Sequence, residues 1–76
     1  MKITVYTRAN CTDCRKVLSY LREKELPFQQ VDVTYDKQAV EDMVARRGYA
    51  TPFILIDGTA FHSFDREKLD DFLAHV

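Results

Sequence analysis

The sequence predicts an α/β fold of order βαβαββα, with a four-stranded mixed sheet and three helices, and three observations predict it. Strand-like and amphipathic helical stretches alternate through the first half of the chain. A four-residue apolar run, Phe53-Ile54-Leu55-Ile56, leads directly into Asp57-Gly58, a strong hairpin signal. A last stretch carries Leu69, Phe72, Leu73 and Val76 at helical spacing.

Lys2 to Thr7 alternates, with Ile3 and Val5 on one face, and reads as a half-buried strand. After the short loop Arg8-Ala9-Asn10, residues Cys14, Val17, Leu18 and Leu21 recur at helical spacing between the charged Arg15, Lys16 and Arg22. A helix is therefore expected from about Cys11 to Lys24. Pro27 ends the following turn and Phe28 to Val33 alternates as a second strand, which a helical crossover makes parallel to the first. Asp36 begins a second helix with Val40, Met43 and Val44 on one face, Arg46 and Arg47 in its last turn and Gly48 as its C′ residue. Phe53 to Ile56 suits a central strand buried on both faces, and it pairs antiparallel with Thr59 to His62 across Asp57-Gly58. Ser63 or Asp65 is available as the N-cap of the last helix.

At 76 residues, 46% hydrophobic and 30% charged, with two Gly and two Pro, residues 1–76 have the composition of a single small globular domain. A net charge of −1 with both signs interspersed offers no basic face for a phosphate backbone, so nucleic acid is not an expected partner. No apolar run approaches membrane-spanning length, and Met1 to Tyr6 leads straight into strand-like sequence without the features of a secretory signal. The expectation is a monomer in a reducing cytoplasm, with no membrane partner.

The only two cysteines are Cys11 and Cys14, in Cys-Thr-Asp-Cys. A secreted disulfide scaffold spreads its cysteines to close loops. A structural zinc site needs two further ligands, and His62 and His75, the only imidazoles, do not form a ligand pair. This arithmetic points to redox chemistry and to no metal. Cys11 falls at a helix N-terminus, where unpaired N–H groups and the helix dipole favour thiolate over thiol. Such placement lowers a cysteine from about 8.5 to roughly 3.5–7.5. Cys14, three residues on, faces the same side and belongs to the apolar stripe, which suits a less exposed resolving thiol.

A Cys-x-x-Cys opening the first helix of a βαβ unit, with Thr51-Pro52 ahead of a central strand, resembles the thioredoxin fold. Within it, Tyr6-Thr7-Arg8-Ala9-Asn10-Cys11-Thr12-Asp13-Cys14 resembles the active-site segment of glutaredoxins, and the similarity runs through nearly the whole chain. The resemblance implies a disulfide reductase with Cys11 as nucleophile and Cys14 as resolving thiol, no bound cofactor, and glutathione as co-substrate. It also implies a cis bond before Pro52, with the Thr51 backbone open to an extended substrate chain. Arg8 and Asp65 match positions that contact the carboxylate and the amine of glutathione. The bland alternatives are a solvated Arg8, an Asp65 that caps its helix and an ordinary trans proline.

Three departures from the family pattern stand out. Thr12-Asp13 replaces Pro-Tyr, Ala50-Thr51-Pro52 replaces Thr-Val-Pro, and His62-Ser63 replaces Gly-Gly. Asp13 either tunes the redox properties of Cys11 or serves as a first-turn carboxylate paired with Asn10. The His62 to Phe64 segment is also similar to NrdH-type redoxins, which serve ribonucleotide reductase and are recycled by thioredoxin reductase. Phe61 or Phe64 exposed near the dithiol would make a docking spot for such a reductase, and core packing is the alternative. The expected partners are disulfide-containing proteins, with glutathione or thioredoxin reductase as the electron source. Readings from other classes are a metal or iron–sulfur binding protein using the same thiols, and a non-catalytic adaptor.

Overall fold

Period-two apolar patterning places Ile3, Val5 and Ile54, Ile56 on one face of a sheet, and Tyr6 and Phe53 on the other. A computed structural model describes residues 1–75. Its order is β1 (Ile3–Thr7), α1 (Thr12–Glu23), β2 (Gln29–Asp32), α2 (Lys37–Ala45), β3 (Phe53–Ile56), β4 (Thr59–Phe61) and α3 (Arg66–Ala74). The sheet runs β2-β1-β3-β4. β1 is parallel to β2, with Tyr6 opposite Val31, and antiparallel to β3, with Tyr6 opposite Phe53. β3 and β4 are antiparallel, with Ile56 opposite Thr59. This is the thioredoxin fold, and the mixed four-stranded sheet with three helices matches the sequence expectation. Val76, assigned above to the last helix, lies outside the described residues.

Helices α1 and α3 share one face. Val17, Tyr20, Leu21 and Leu69 bury against Ile3, Val5, Ile54 and Ile56, with Phe61, Phe64, Phe72 and Leu73 packed around them. On the opposite face α2 sets Ala39 and Met43 against Tyr6, Val33 and Phe53. The apolar face of α2 therefore differs from the expected Val40, Met43 and Val44. Met43 is buried, but Val40 only half so, and Val44 is 43% exposed. The sheet offers two large rings here, and the small Ala39 is what lets the helix approach them.

The helix ends follow local chemistry. Asp36 caps α2 by accepting from the Ala39 N–H at 3.0 Å, and Asp65 caps α3 by accepting from the Lys68 N–H at 3.2 Å. α2 ends in a Schellman motif, with the Gly48 N–H donating to the Met43 carbonyl and the Arg47 N–H to the Val44 carbonyl. The left-handed residue is Arg47, at φ 69°, so the expected Gly48 is not the C′ residue but the one after it. At the hairpin tip Asp57 (φ 49°) and Gly58 (φ 87°) both take positive φ, as a two-residue type I′ turn requires.

Candidate active site

β1 delivers the chain to the loop 8–10 at the end of the sheet where the parallel β2 also ends and the antiparallel β3 begins. The loop is held from the turn after β2: Thr34 Oγ1 accepts from the Ala9 N–H at 2.8 Å, while the Thr34 N–H donates to Asp32 Oδ1 at 2.8 Å. Hydrogen bonds from Thr34 hold the Asp32 carboxyl below its ordinary range. Asn10 takes a left-handed φ of 59°, which turns the chain into α1.

Cys11 is itself the N-cap of α1. Its Sγ accepts from the Cys14 N–H at 3.1 Å, the place an Asp or Ser oxygen usually fills. The positive end of the helix dipole and an aligned N–H thus meet at one sulfur, and both favour negative charge there. Cys11 is half-buried and Cys14 only 2% exposed, and the two are joined in a disulfide with Cα atoms 5.2 Å apart. A pair so placed can open and close by thiol–disulfide exchange with little backbone movement.

Thr51-Pro52 is cis, as the resemblance implied, and Pro52 is buried. Thr51 reaches Cys11 Sγ with its hydroxyl, 3.9 Å away. The sequence reading gave Thr51 a backbone role only and missed this side-chain contact, as it missed Thr34. Thr34 is foreshadowed only by the Asp-x-Thr pattern of an Asx turn.

Asp13 does not pair with Asn10. Cys11 occupies the cap, and the Asp13 carboxylate instead lies 3.7 Å from Lys16 Nζ on the exposed side of the first turn. Arg8 is exposed and lines a cleft of about 330 Å³ beside both cysteines, together with Asn10, Arg15, Gln30 and Asp32. Asp65 lies apart from that cleft with one carboxylate oxygen engaged in capping α3. Phe61 and Phe64 are half-buried, edge-on to Phe72 at 5.3 Å and to Tyr20 at 5.9 Å, so neither is the open aromatic spot considered above. The exposed aromatics at this end are Tyr35 (98%) and Tyr49 (74%), in the loops after β2 and before β3. His62 is exposed and rests against the Phe53 ring at 5.4 Å.

A larger groove, of about 660 Å³, lies on the α2 face between Arg46 and the hairpin tip and contains neither cysteine. Among the described residues no group of three or more His, Cys, Asp or Glu side chains converges as a metal site, and no helix is long and apolar enough to cross a membrane.

Comparison with known proteins agrees with the geometry. Over 67 residues the chain is 31% identical to the glutaredoxin-like protein NrdH of Lactococcus lactis subsp. cremoris (strain MG1363), covering 88% of this chain and 93% of that one. The thioredoxin-like protein BC3987 superposes with a TM-score of 0.84 at 31% identity, over 91% of this chain and 96% of the other. The NrdH-redoxin of Escherichia coli, at 21% identity and 93% coverage of both chains, shares the fold with a TM-score of 0.81. Residues 3–61 match the glutaredoxin family model, a span holding the whole Cys11–Cys14 segment and the Thr51-Pro52 loop. With its dithiol at a helix start beside a cis proline, the chain belongs to the glutaredoxin family of thiol–disulfide oxidoreductases.

Proposed function

We propose that residues 1–76 act as one domain that reduces disulfides, with Cys11 as nucleophile and Cys14 as resolving thiol. The observation that carries this is the N-cap geometry, in which the Cys14 N–H donates to Cys11 Sγ at 3.1 Å. In the first step the Cys11 thiolate attacks one sulfur of a substrate disulfide. A mixed disulfide forms, and the other substrate thiolate leaves and takes a proton from water. Cys14 then loses its proton to solvent and attacks Cys11 Sγ. The Cys11–Cys14 disulfide closes, the second substrate thiolate departs, and two electrons have passed from the dithiol to the substrate.

An extended substrate segment pairs with the free backbone of Thr51 beside Pro52 as an added strand. Arg8 takes the carboxylate of a small thiol such as glutathione, and Asp65 offers its remaining carboxylate oxygen to an amine. Asp13, one of the two residues between the cysteines, opposes negative charge on Cys11, and its ion pair with Lys16 moderates that effect. The working form is a cytoplasmic monomer, and its partners are disulfide-bearing proteins and a reductant.

Glutathione is the first reading for that reductant. The NrdH-type reading, with recycling by thioredoxin reductase and delivery to ribonucleotide reductase, draws support from the named Lactococcus relative and from the capping duty of Asp65. Tyr35 and Tyr49, open at the same end of the molecule as Cys11, suit contact with a protein reductase.

The test is to follow reduction of the oxidised protein by glutathione with glutathione reductase and, separately, by thioredoxin reductase with NADPH. Rapid recycling by glutathione is expected, falling severalfold in Arg8→Ala and Asp65→Asn. Recycling by thioredoxin reductase alone would replace glutathione with the NrdH-type assignment.

A further inference from the structure

Two donors from different parts of the chain converge on Cys11 Sγ. One is the Cys14 N–H of α1 at 3.1 Å, and the other is the Thr51 hydroxyl at 3.9 Å, brought from 40 residues away by the loop before β3. A hydroxyl at this distance from a disulfide sulfur makes a weak contact. When the disulfide opens, Sγ gains a full negative charge, the hydroxyl rotor is free to aim its proton at it, and a charge-assisted bond replaces the weak one. Among the described residues Cys11 Sγ is the one hydrogen-bond partner of Thr51 Oγ1. We infer that the Thr51 hydroxyl is a catalytic donor that stabilises the Cys11 thiolate, adding a side-chain term to the helix terminus. This rests on the assignment of Cys11 as nucleophile.

The charged groups around Cys11 are Arg8, Arg15 and Asp32 along the adjoining cleft and the Asp13–Lys16 pair on α1. Thr51→Val leaves all of them in place and removes only the hydroxyl from a side chain of nearly the same shape. A neutral donor lost from a thiolate leaves less of it ionised at a given pH, here about tenfold less at low pH. The rate consequence has two parts, since thiolate nucleophilicity rises with pKa at a Brønsted slope of about 0.4–0.5. Well below both pKa values the variant has about tenfold less thiolate, each about threefold more reactive, so it is about threefold slower. Well above both values it is about threefold faster. The two pH–rate profiles cross, a signature that loss of fold or of substrate contact does not produce.

The experiment measures the rate of Cys11 alkylation by iodoacetamide from pH 4 to pH 10, with the site assigned by mass spectrometry, in the wild type, Thr51→Val and Thr51→Ser. Crossing profiles for Thr51→Val and a near wild-type profile for Thr51→Ser are expected. Superimposable profiles for wild type and Thr51→Val would overturn the inference. So would a Thr51→Ser profile that follows valine, since serine keeps the hydroxyl and loses only the methyl. If wild-type Cys11 itself fails to alkylate at neutral pH while Cys14 reacts, the nucleophile assignment falls instead, and the two failures are distinguishable.

Discussion

At Gly48 an added Cβ would sit 2.6 Å from the Phe53 ring and 2.8 Å from Met43 Cγ. Phe53 is fully buried, follows Pro52 and lies tilted against the Tyr6 ring with centroids 5.7 Å apart, so it has little room in which to yield. Gly48→Ala is expected to destabilise the protein by about 1–3 kcal/mol, read as a lower denaturant midpoint at unchanged slope. A midpoint equal to wild type would mean that Phe53 is less constrained than its packing indicates. Gly48 was legible in the sequence as punctuation, but its reason was not, because the reason is a ring five residues away across a loop. Cys11 and Cys14 stood out because their spacing is itself the signal. The side-chain contacts of Thr34 and Thr51 carried no such signal, since each hydroxyl meets the cysteine loop across a sequence separation of 25 or 40 residues that only the fold closes.

Two tyrosines tie elements together through carboxylates. Tyr20 on α1 donates to Asp70 Oδ1 on α3 at 2.5 Å, and Tyr6 on β1 donates to Asp42 Oδ2 on α2 at 2.5 Å. Burial and then the Asp70 bond push the Tyr20 phenol up to about 12, and the same two causes in the same order raise Tyr6. The tyrosine hydroxyls in turn lower Asp70 and Asp42. The signs differ between the partners. The carboxylates contribute stability above their unfolded pKa near 4 that is lost as pH falls through the lowered folded values. The phenols contribute stability below about 10 that is lost as pH rises toward 12 for Tyr20. A stability plateau across neutral pH with a fall on each side is expected in denaturant titrations, and Tyr20→Phe should flatten the alkaline limb. An alkaline limb unchanged in Tyr20→Phe would remove Tyr20 from that role. The elements themselves were largely legible: Asp57-Gly58 announced the hairpin, and the charged interruptions of α1 announced its exposed face. The buried face of α2 was not, because Val40, Met43 and Val44 form an equally good stripe on a nine-residue helix. Only the rings of Tyr6 and Phe53 select Ala39 over Val44.

The molecule as a whole places its stability and its chemistry apart. The thicker core lies between the sheet and α1 with α3, whereas the ends of β1 and β2, the start of β3 and the first turn of α1 collect Cys11, Cys14, Thr51, Arg8 and the exposed Tyr35 and Tyr49 at one edge. That edge is built from loops on a rigid scaffold, the usual place for a site. The fold was readable because every local signal agreed with it, while the choice of reductant was not, because it depends on surface residues whose partners are other molecules. The most direct test of the central claim is to trap the reaction halfway. Cys14→Ser and Cys11→Ser are each reduced and mixed with a disulfide substrate at neutral pH, and the products are read by intact mass and peptide mapping. A stable mixed disulfide on Cys11 in Cys14→Ser, with no adduct on Cys14 in Cys11→Ser, is the expected result. Rapid adduct formation on Cys14 in Cys11→Ser, with Cys11 inert in Cys14→Ser, would contradict it.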